Sequence, residues 1–181
     1  MYGVVLHFDS ETERVITTLW KGLRDHGISS YAYEIENRKP HLTLADYSDL
    51  NESEYKEIFD CYYKSIPKIY LSYNMLGTFM NSGALFLSPN PTKKLIDFHS
   101  DYHNHFKKYH DFSNLIYHPE KWIPHCTIAN RLNNQKLVEA LQFSTERLEH
   151  IKTEVHEIAL IKIIDKNNKR MIETVMSKAL V

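Results

Sequence analysis

Apolar residues recur at helical spacing in four segments of the chain, and short runs of β-branched and aromatic residues lie between them. Residues 2–8 form the first of these strand-like runs. Ser10 and Glu13 match a capping box and therefore predict the start of a helix, and Gly27 predicts its end. The chain thus begins with a strand followed by an amphipathic helix.

The rest of the first half alternates between extended and helical patterns. Residues 31–47 are predicted to be extended, and Asn51 is predicted to cap a second helix. Residues 68–80 and 84–87 flank Asn81-Ser82-Gly83, a sequence typical of a hairpin turn. The predicted order of this half is β-α-β-α-β-β.

The second half repeats much of this order. We predict, in sequence, a helix over 92–109, a loop over 111–120, a strand over 121–130, a helix capped by Asn133 or Asn134, and strands over 156–164 and 171–179. The sequence therefore predicts an α+β fold with antiparallel sheets, outer helices and a central groove. We expect one domain over 1–181, built from two pseudo-repeated lobes at about 1–88 and 89–181.

Composition narrows the possible environments and partners. The 181 residues carry a formal net charge of −1, which argues against neutralisation of a long nucleic-acid track. Cys61 and Cys126 have no metal-ligand spacing, so free thiols in a reducing compartment are expected. The N-terminal sequence does not match a signal peptide, and no apolar run has membrane-spanning length. We therefore expect a cytoplasmic monomer without a membrane partner.

One tetrapeptide pattern, Pro-His-x-Thr, occurs twice, with similar flanking residues. The copies are Pro40-His41-Leu42-Thr43 and Pro124-His125-Cys126-Thr127, and they lie about half the chain apart. A single His-x-Thr is uninformative, because roughly 0.6 copies are expected by chance in a chain of this composition. Two copies that share a preceding proline indicate a duplicated unit, in which each half supplies one imidazole and one hydroxyl.

The residue types in this pattern suit phosphodiester chemistry. On a strand, residues i and i+2 share a face, so His41 and Thr43 are predicted to lie together, as are His125 and Thr127. One imidazole can act as a base and the other as an acid near neutral pH. The threonine hydroxyls can donate hydrogen bonds to phosphoryl oxygens. This chemistry requires no metal, and we expect no cofactor.

The segments PHLTLADY and PHCTIANR resemble the two motifs of the 2H phosphoesterase superfamily, and the resemblance extends over essentially the whole chain. It implies that His41 and His125 are the catalytic pair and that Thr43 and Thr127 hold the phosphate. It also implies metal-independent hydrolysis of a 2′,3′-cyclic phosphate or a related diester in a small nucleotide or RNA terminus. Two alternatives are a 2′-5′ RNA ligase or oligonucleotide phosphodiesterase, and a non-catalytic nucleotide-binding module.

Further candidates lie beside the motifs. Tyr47, Tyr117 and Trp122 are aromatic residues that can stack on a nucleobase, although core packing is an equally good interpretation. Arg131 is a candidate phosphate ligand, or a solvated residue at a strand end.

Three histidines fall on one predicted helix, where i,i+4 pairs can bind a metal. They are His99, His103 and His105. We favour a solvated helix face for them, because no further ligand is indicated.

Overall fold

The computed structural model describes residues 1–181 as an antiparallel sheet of seven strands flanked by four α-helices. The strands are β1 (Tyr2–Phe8), β2 (His41–Tyr47), β3 (Tyr70–Gly77), β4 (Leu85–Pro89), β5 (Cys126–Ala129), β6 (Ile151–Lys166) and β7 (Lys169–Ala179). The helices are α1 (Ser10–Asp25), α2 (Glu52–Tyr62), α3 (Lys93–His105) and α4 (Asn134–Thr145). The predicted α+β class is confirmed.

The two motif strands lie at opposite ends of the strand order β2-β1-β6-β3-β4-β5, and β7 pairs with β6 outside this path. Strands β2 and β5 nevertheless approach each other closely. The Cys126 thiol contacts the backbone amide of His41. The sheet therefore curls so that its two end strands meet, and this curvature brings the motifs to one groove.

Strand β6 joins the two parts of the sheet. Residues 151–154 of this strand pair with β3, residues 155–162 pair with β1, and the part from Glu157 onward also pairs with β7. The strand pairing therefore crosses the predicted lobe boundary near residue 88. Strands β6 and β7 come from the second half but lie on the side of β1, whereas the β3–β4 hairpin comes from the first half but pairs with β5. Local apolar spacing identifies a strand but not its partner, so this exchange was not predictable from the sequence pattern.

Most helix starts agree with the prediction to within a residue. Asp9, rather than Ser10, caps α1 by accepting a hydrogen bond from the Thr12 amide at 2.8 Å. The remaining N-cap side chains bond to the amide three residues later: Asn51, Thr92 and Asn133. The third helix ends at residue 105, earlier than predicted, and a 3₁₀ segment follows it.

The segment before the first motif is not a strand. Residues Tyr31–Tyr33 form a 3₁₀ turn, and β2 begins only at His41. Asn37 has a φ of 62°, in the left-handed region that interrupts regular extended backbone. The predicted extended span of 31–47 was therefore wrong over its first ten residues.

The turn of the β3–β4 hairpin is held against the segment that follows β5. Gly83 has a φ of 64°, and its carbonyl accepts a hydrogen bond from the Leu132 amide at 3.0 Å. A Cβ atom at this position would collide with the Leu132 carbonyl oxygen, so only glycine fits. This contact fixes the hairpin loop beside the second motif strand.

None of the helices combines the length and the apolar character needed to cross a lipid bilayer.

Candidate active site

The two motif histidines have matching hydrogen bonds. Nδ1 of His41 lies 2.7 Å from the carbonyl oxygen of Lys39, and Nδ1 of His125 lies 2.7 Å from that of Ile123. A carbonyl oxygen can only accept, so both Nδ1 atoms carry the proton when the rings are neutral. Each ring therefore presents an unprotonated Nε2 that is free to accept a proton.

Side chains alternate along both motif strands as expected for amphipathic strands. His41 and Thr43 are half-buried, whereas Leu42 is fully buried on the other face. In β5, Thr127 is half-buried between buried residues on either side. The imidazole and hydroxyl of each motif thus lie on the exposed side of a well-packed strand.

Each motif threonine contacts a tyrosine from the segment that precedes the other motif. The Tyr31 hydroxyl contacts Thr127, and the Tyr117 hydroxyl contacts Thr43. Burial raises the pKa of both phenols, that of Tyr117 to about 12, so they remain protonated and can donate. Each half of the chain therefore supplies one tyrosine that contacts the motif threonine of the other half.

The electrostatic surroundings of the two imidazoles differ. Burial, with smaller contributions from the nearby His7, Arg38 and His125, lowers the pKa of His41 to about 4 against the opposing effect of the Lys39 carbonyl. Burial also lowers the pKa of His125. Both rings are therefore neutral at neutral pH when the groove is empty.

His7 is a third histidine at the groove, and it lines the same cavity as His41. It is the cross-strand partner of His41, and its Nδ1 lies 2.9 Å from a carboxylate oxygen of Glu157. Burial lowers the pKa of His7, and the Glu157 carboxylate opposes this effect. His7 was not identifiable from the sequence pattern, because its partners lie on strands that are distant in the chain.

Tyr47 does not face the groove, which corrects its prediction as a substrate-binding residue. Its side chain is 1% exposed, and its hydroxyl lies 2.7 Å from that of Tyr102 in the aromatic core. The pairing of β1 with β2 shifts register between Val4 and Val5. This irregularity changes the alternation, so Tyr47 turns to the core instead of sharing the face of Thr43.

Trp122 lies just before the second motif in the chain, and it contacts the backbone of the first motif strand. Its indole nitrogen donates to the Thr43 carbonyl oxygen at 2.9 Å, and its ring stacks on His99 at 3.7 Å between centroids. One part of the indole also lines a cavity beside His125. The core-packing interpretation therefore accounts for most of the Trp122 side chain.

His99 and His103 are not on a solvated helix face, contrary to the prediction. Both are 1% exposed, and the Nε2 atom of each lies 3.1 Å from the Leu44 carbonyl oxygen. His105 instead stacks on Tyr62. No group of three or more His, Cys, Asp or Glu residues is arranged to hold a metal ion. The two buried imidazoles therefore anchor the backbone of β2 next to its catalytic candidates.

This burial predicts a loss of stability in acid. Burial lowers the folded-state pKa values of His99 and His103 to about 3 and about 4, against 6.5 as the ordinary value. The unfolded chain therefore binds more protons below the ordinary pKa, and the free energy of unfolding falls as pH falls. We expect a loss of roughly 2 kcal/mol for each imidazole between about pH 8 and about pH 5.

Urea unfolding of the wild type and of His103→Gln at both pH values measures this effect. The glutamine amide keeps a donor to the Leu44 carbonyl but cannot titrate, so the variant should lose roughly 2 kcal/mol less than the wild type. His156→Gln removes an exposed imidazole and serves as the control. An unchanged pH dependence in His103→Gln would contradict the assignment.

Arg131 pairs with an acidic side chain rather than with other motif residues. It has a φ of 59° and its guanidinium forms an ion pair with Glu34, close to the 3₁₀ turn that carries Tyr31. Of the two interpretations of Arg131, the structure therefore supports a surface residue at the strand end.

Tyr31 and Phe79 are two further residues at the site that the sequence did not identify. Tyr31 precedes His41 at nearly the same distance at which Tyr117 precedes His125, so comparing the two halves beyond the motifs was the available signal. Phe79 lies in the β3–β4 loop, with its ring centroid 5.0 Å from that of His125. No local pattern indicates this contact.

The family of this chain is identified by comparison with known proteins. The family model of the 2′-5′ RNA ligase superfamily matches residues 8–167. No curated protein sequence matches the chain at a significant level.

Solved structures share the fold over almost the whole chain. Escherichia coli LigT complexed with 3′-AMP has a TM-score of 0.66 at 13% identity, and the match covers 99% of this chain and 96% of that one. A protein described as a phosphoesterase has a TM-score of 0.67 at 14% identity, with 99% and 97% covered. The protein TT0787 of Thermus thermophilus has a TM-score of 0.66 at 13% identity, also with 99% and 97% covered.

At such low identities the structures establish a common fold, and the family model establishes membership. The resemblance of the two motif segments to the 2H phosphoesterases is therefore confirmed. The chain belongs to the 2′-5′ RNA ligase superfamily.

Proposed function

We propose that this protein is a metal-independent phosphoesterase of the 2H type, which hydrolyses a 2′,3′-cyclic phosphate or a related diester of a small nucleotide or RNA end. The observation that carries the proposal is the matched orientation of His41 and His125, in which both Nδ1 protons are donated to backbone carbonyls. Two imidazoles that share this orientation on facing strands are suited to move one proton each.

The proposed mechanism assigns one proton transfer to each imidazole. One Nε2 accepts a proton from the attacking water, and the other ring, entering in its protonated form, donates a proton to the leaving ribose oxygen. Thr43 and Thr127 donate hydrogen bonds to the non-bridging phosphoryl oxygens, where negative charge develops. Tyr117 and Tyr31 orient these hydroxyls through the contacts described above.

A small nucleotide as substrate is supported by two further observations. Crystal structures of E. coli LigT, which has a similar fold, contain 3′-AMP, ATP or NADP+. The formal net charge of −1 provides little attraction for a long polyanion. The substrate is therefore expected to be a mononucleotide or a short RNA end.

The test is a panel of 2′,3′-cyclic mononucleotides and of 2′-5′ and 3′-5′ oligonucleotides, incubated with the protein in EDTA. Phosphorus NMR identifies the product and the hydroxyl that keeps the phosphate. We expect hydrolysis of the cyclic phosphates. Turnover confined to 2′-5′ linkages would favour the oligonucleotide phosphodiesterase, and tight binding without any turnover would favour the non-catalytic module.

The pKa directions also predict the pH dependence of activity. In the free protein the pKa of His41 is lowered to about 4 and that of His125 is lowered below 6.5, chiefly by burial. A base must be neutral and an acid protonated, so kcat/KM should pass through a maximum below neutral pH. The bound phosphate anion favours both imidazolium ions, so the maximum of kcat should lie at higher pH. Initial rates, with circular dichroism confirming the fold at each pH, measure both profiles; a kcat/KM maximum well above neutrality would contradict the account.

A further inference from the structure

A cavity of about 430 Å³ lies beside His41, between the segment that precedes β2 and the β6–β7 hairpin. Its polar lining includes His7, Arg38, Lys39 and His41 itself. Neither motif threonine lines this cavity, and His125 does not line it either. The cavity therefore extends away from the place where both motifs are proposed to hold the reacting phosphate.

Two cations in the lining have no carboxylate partner. Arg38 and Lys39 form no ion pair, because the acidic side chains around them are paired with other basic groups. These pairs are Glu34 with Arg131, Glu36 with Lys169, and Glu157 with His7. An anion that enters the cavity therefore meets positive charge that is not neutralised within the protein.

The segment that carries these cations is held in place by β7 and by Tyr31. The Glu36 amide donates to the Arg170 carbonyl oxygen at 2.9 Å, and the Glu36 carbonyl oxygen accepts from the Ile172 amide at 3.0 Å. The Arg38 guanidinium donates to the Tyr31 carbonyl oxygen at 2.5 Å and lies 4.0 Å from the centre of the Tyr31 ring. This bond uses Nη1, so other N–H groups of Arg38 remain for a ligand. A group fixed in this way loses little further freedom when an anion binds.

His7 adds a further donor to this cavity. Its side chain is buried, and its Nδ1 lies 2.9 Å from a carboxylate oxygen of Glu157. A bound anion and the Glu157 carboxylate both favour protonation of the ring, and Nε2 of the protonated ring can donate.

We infer that this cavity is a second phosphate subsite, and that the substrate is a nucleotide with another phosphate on its 5′ oxygen besides the phosphate that reacts. This inference deepens the proposed function and rests on it. No Phe, Tyr or Trp lines the cavity, so its lining suits a phosphate better than a nucleobase. A free 5′-phosphate and the internucleotide diester of an RNA end both offer the anionic oxygens that guanidinium and ammonium groups bind.

Steady-state kinetics with and without the second phosphate test the subsite. The substrates are adenosine 2′,3′-cyclic phosphate, its 5′-phosphorylated form, and the dinucleotide ApA that ends in the same cyclic phosphate. We expect the wild-type kcat/KM to be at least about tenfold higher with the second phosphate than without it. A preference for the dinucleotide alone would identify the internucleotide diester as the bound group, and a preference for the phosphorylated mononucleotide alone would identify a terminal phosphate.

Variants that remove one charge assign this preference to the cavity. Arg38→Gln and Lys39→Gln should each bring the ratio of the two kcat/KM values towards one. A purely structural role of Arg38 would instead lower the rates on all substrates alike and leave the ratio unchanged. Lys166→Gln, an exposed lysine at the end of β6 and outside the cavity lining, is the control and should keep the ratio. A wild-type ratio of one, or a ratio unchanged in both cavity variants, would overturn the inference.

A binding measurement separates this inference from the proposed function. Calorimetry compares 3′-AMP with adenosine 3′,5′-bisphosphate, which differ only in the 5′-phosphate. The wild type should bind the bisphosphate at least about tenfold more tightly, and Lys39→Gln should lose most of this difference. If the wild type hydrolyses none of the esters, the proposed function fails, while tighter binding of the bisphosphate still supports the subsite. Equal affinities of the wild type for the two nucleotides would overturn it.

Discussion

Replacing either motif histidine should lower kcat/KM on a 2′,3′-cyclic nucleotide by about 10²- to 10⁴-fold. His41→Ala and His125→Ala each remove one of the two proposed proton transfers, and neither ring supports the core, since both are half-buried at the groove. The losses should not add in the double variant, because the two rings act in one step. Steady-state rates with purified, folded variants measure the effect.

The matched control is His156→Ala, which removes an exposed imidazole from β6. It should retain wild-type activity. Retention of activity in either motif variant, with circular dichroism showing the native fold, would remove that histidine from the mechanism.

The second large effect is expected from the motif threonines. Thr43→Val and Thr127→Val keep the shape and β-branching of the side chain but remove the hydroxyl donor. Loss of one donor to the developing charge typically lowers kcat by about 10²- to 10³-fold. The effect should appear in kcat more than in KM, because the charge develops in the transition state.

Tyr117→Phe provides a comparison within the site, since it leaves Thr43 in place and removes only the hydroxyl that contacts it. It should have a smaller effect than Thr43→Val. Thr18→Val, an exposed position on α1, controls for the substitution itself. Equal activity of Thr43→Val and Thr18→Val would show that the motif hydroxyl does not contribute.

The motif positions and the general architecture were predictable from the sequence because they depend on short-range order. Alternation of side chains at i and i+2 is a property of any strand, so the faces of His41 and Thr43 followed from β2 being a strand. The same holds for helix starts, where Asn51 caps α2 through its own local hydrogen bond.

The errors have specific physical causes. Tyr47 was kept as a candidate for nucleobase stacking, beside the core-packing interpretation, because the irregular pairing of β2 with β1 is invisible in the pattern of apolar residues. His99 and His103 were assigned to a solvated helix face because no further metal ligand was indicated, yet both are buried where the Leu44 carbonyl accepts their hydrogen bonds. In each case a contact with a residue distant in the chain overrode the local preference.

The pairing of distant segments also explains which site residues could not be found from the sequence. Tyr31 and Phe79 reach the second motif only because the sheet curls and the β3–β4 loop is held at Gly83 against Leu132. Phe79 carries no recognisable pattern, and Tyr31 is marked only by its correspondence with Tyr117 in the other half. The residues that surround the second motif were therefore accessible only from the structure.

The most direct test of the central claim is the initial rate of adenosine 2′,3′-cyclic phosphate hydrolysis in EDTA, measured side by side for the wild type and the His41→Ala/His125→Ala double variant. We expect steady turnover by the wild type, unaffected by the chelator, and loss of at least about 10²-fold in the double variant. Hydrolysis that persists at the wild-type rate in the folded double variant, or that requires an added metal, would contradict this claim.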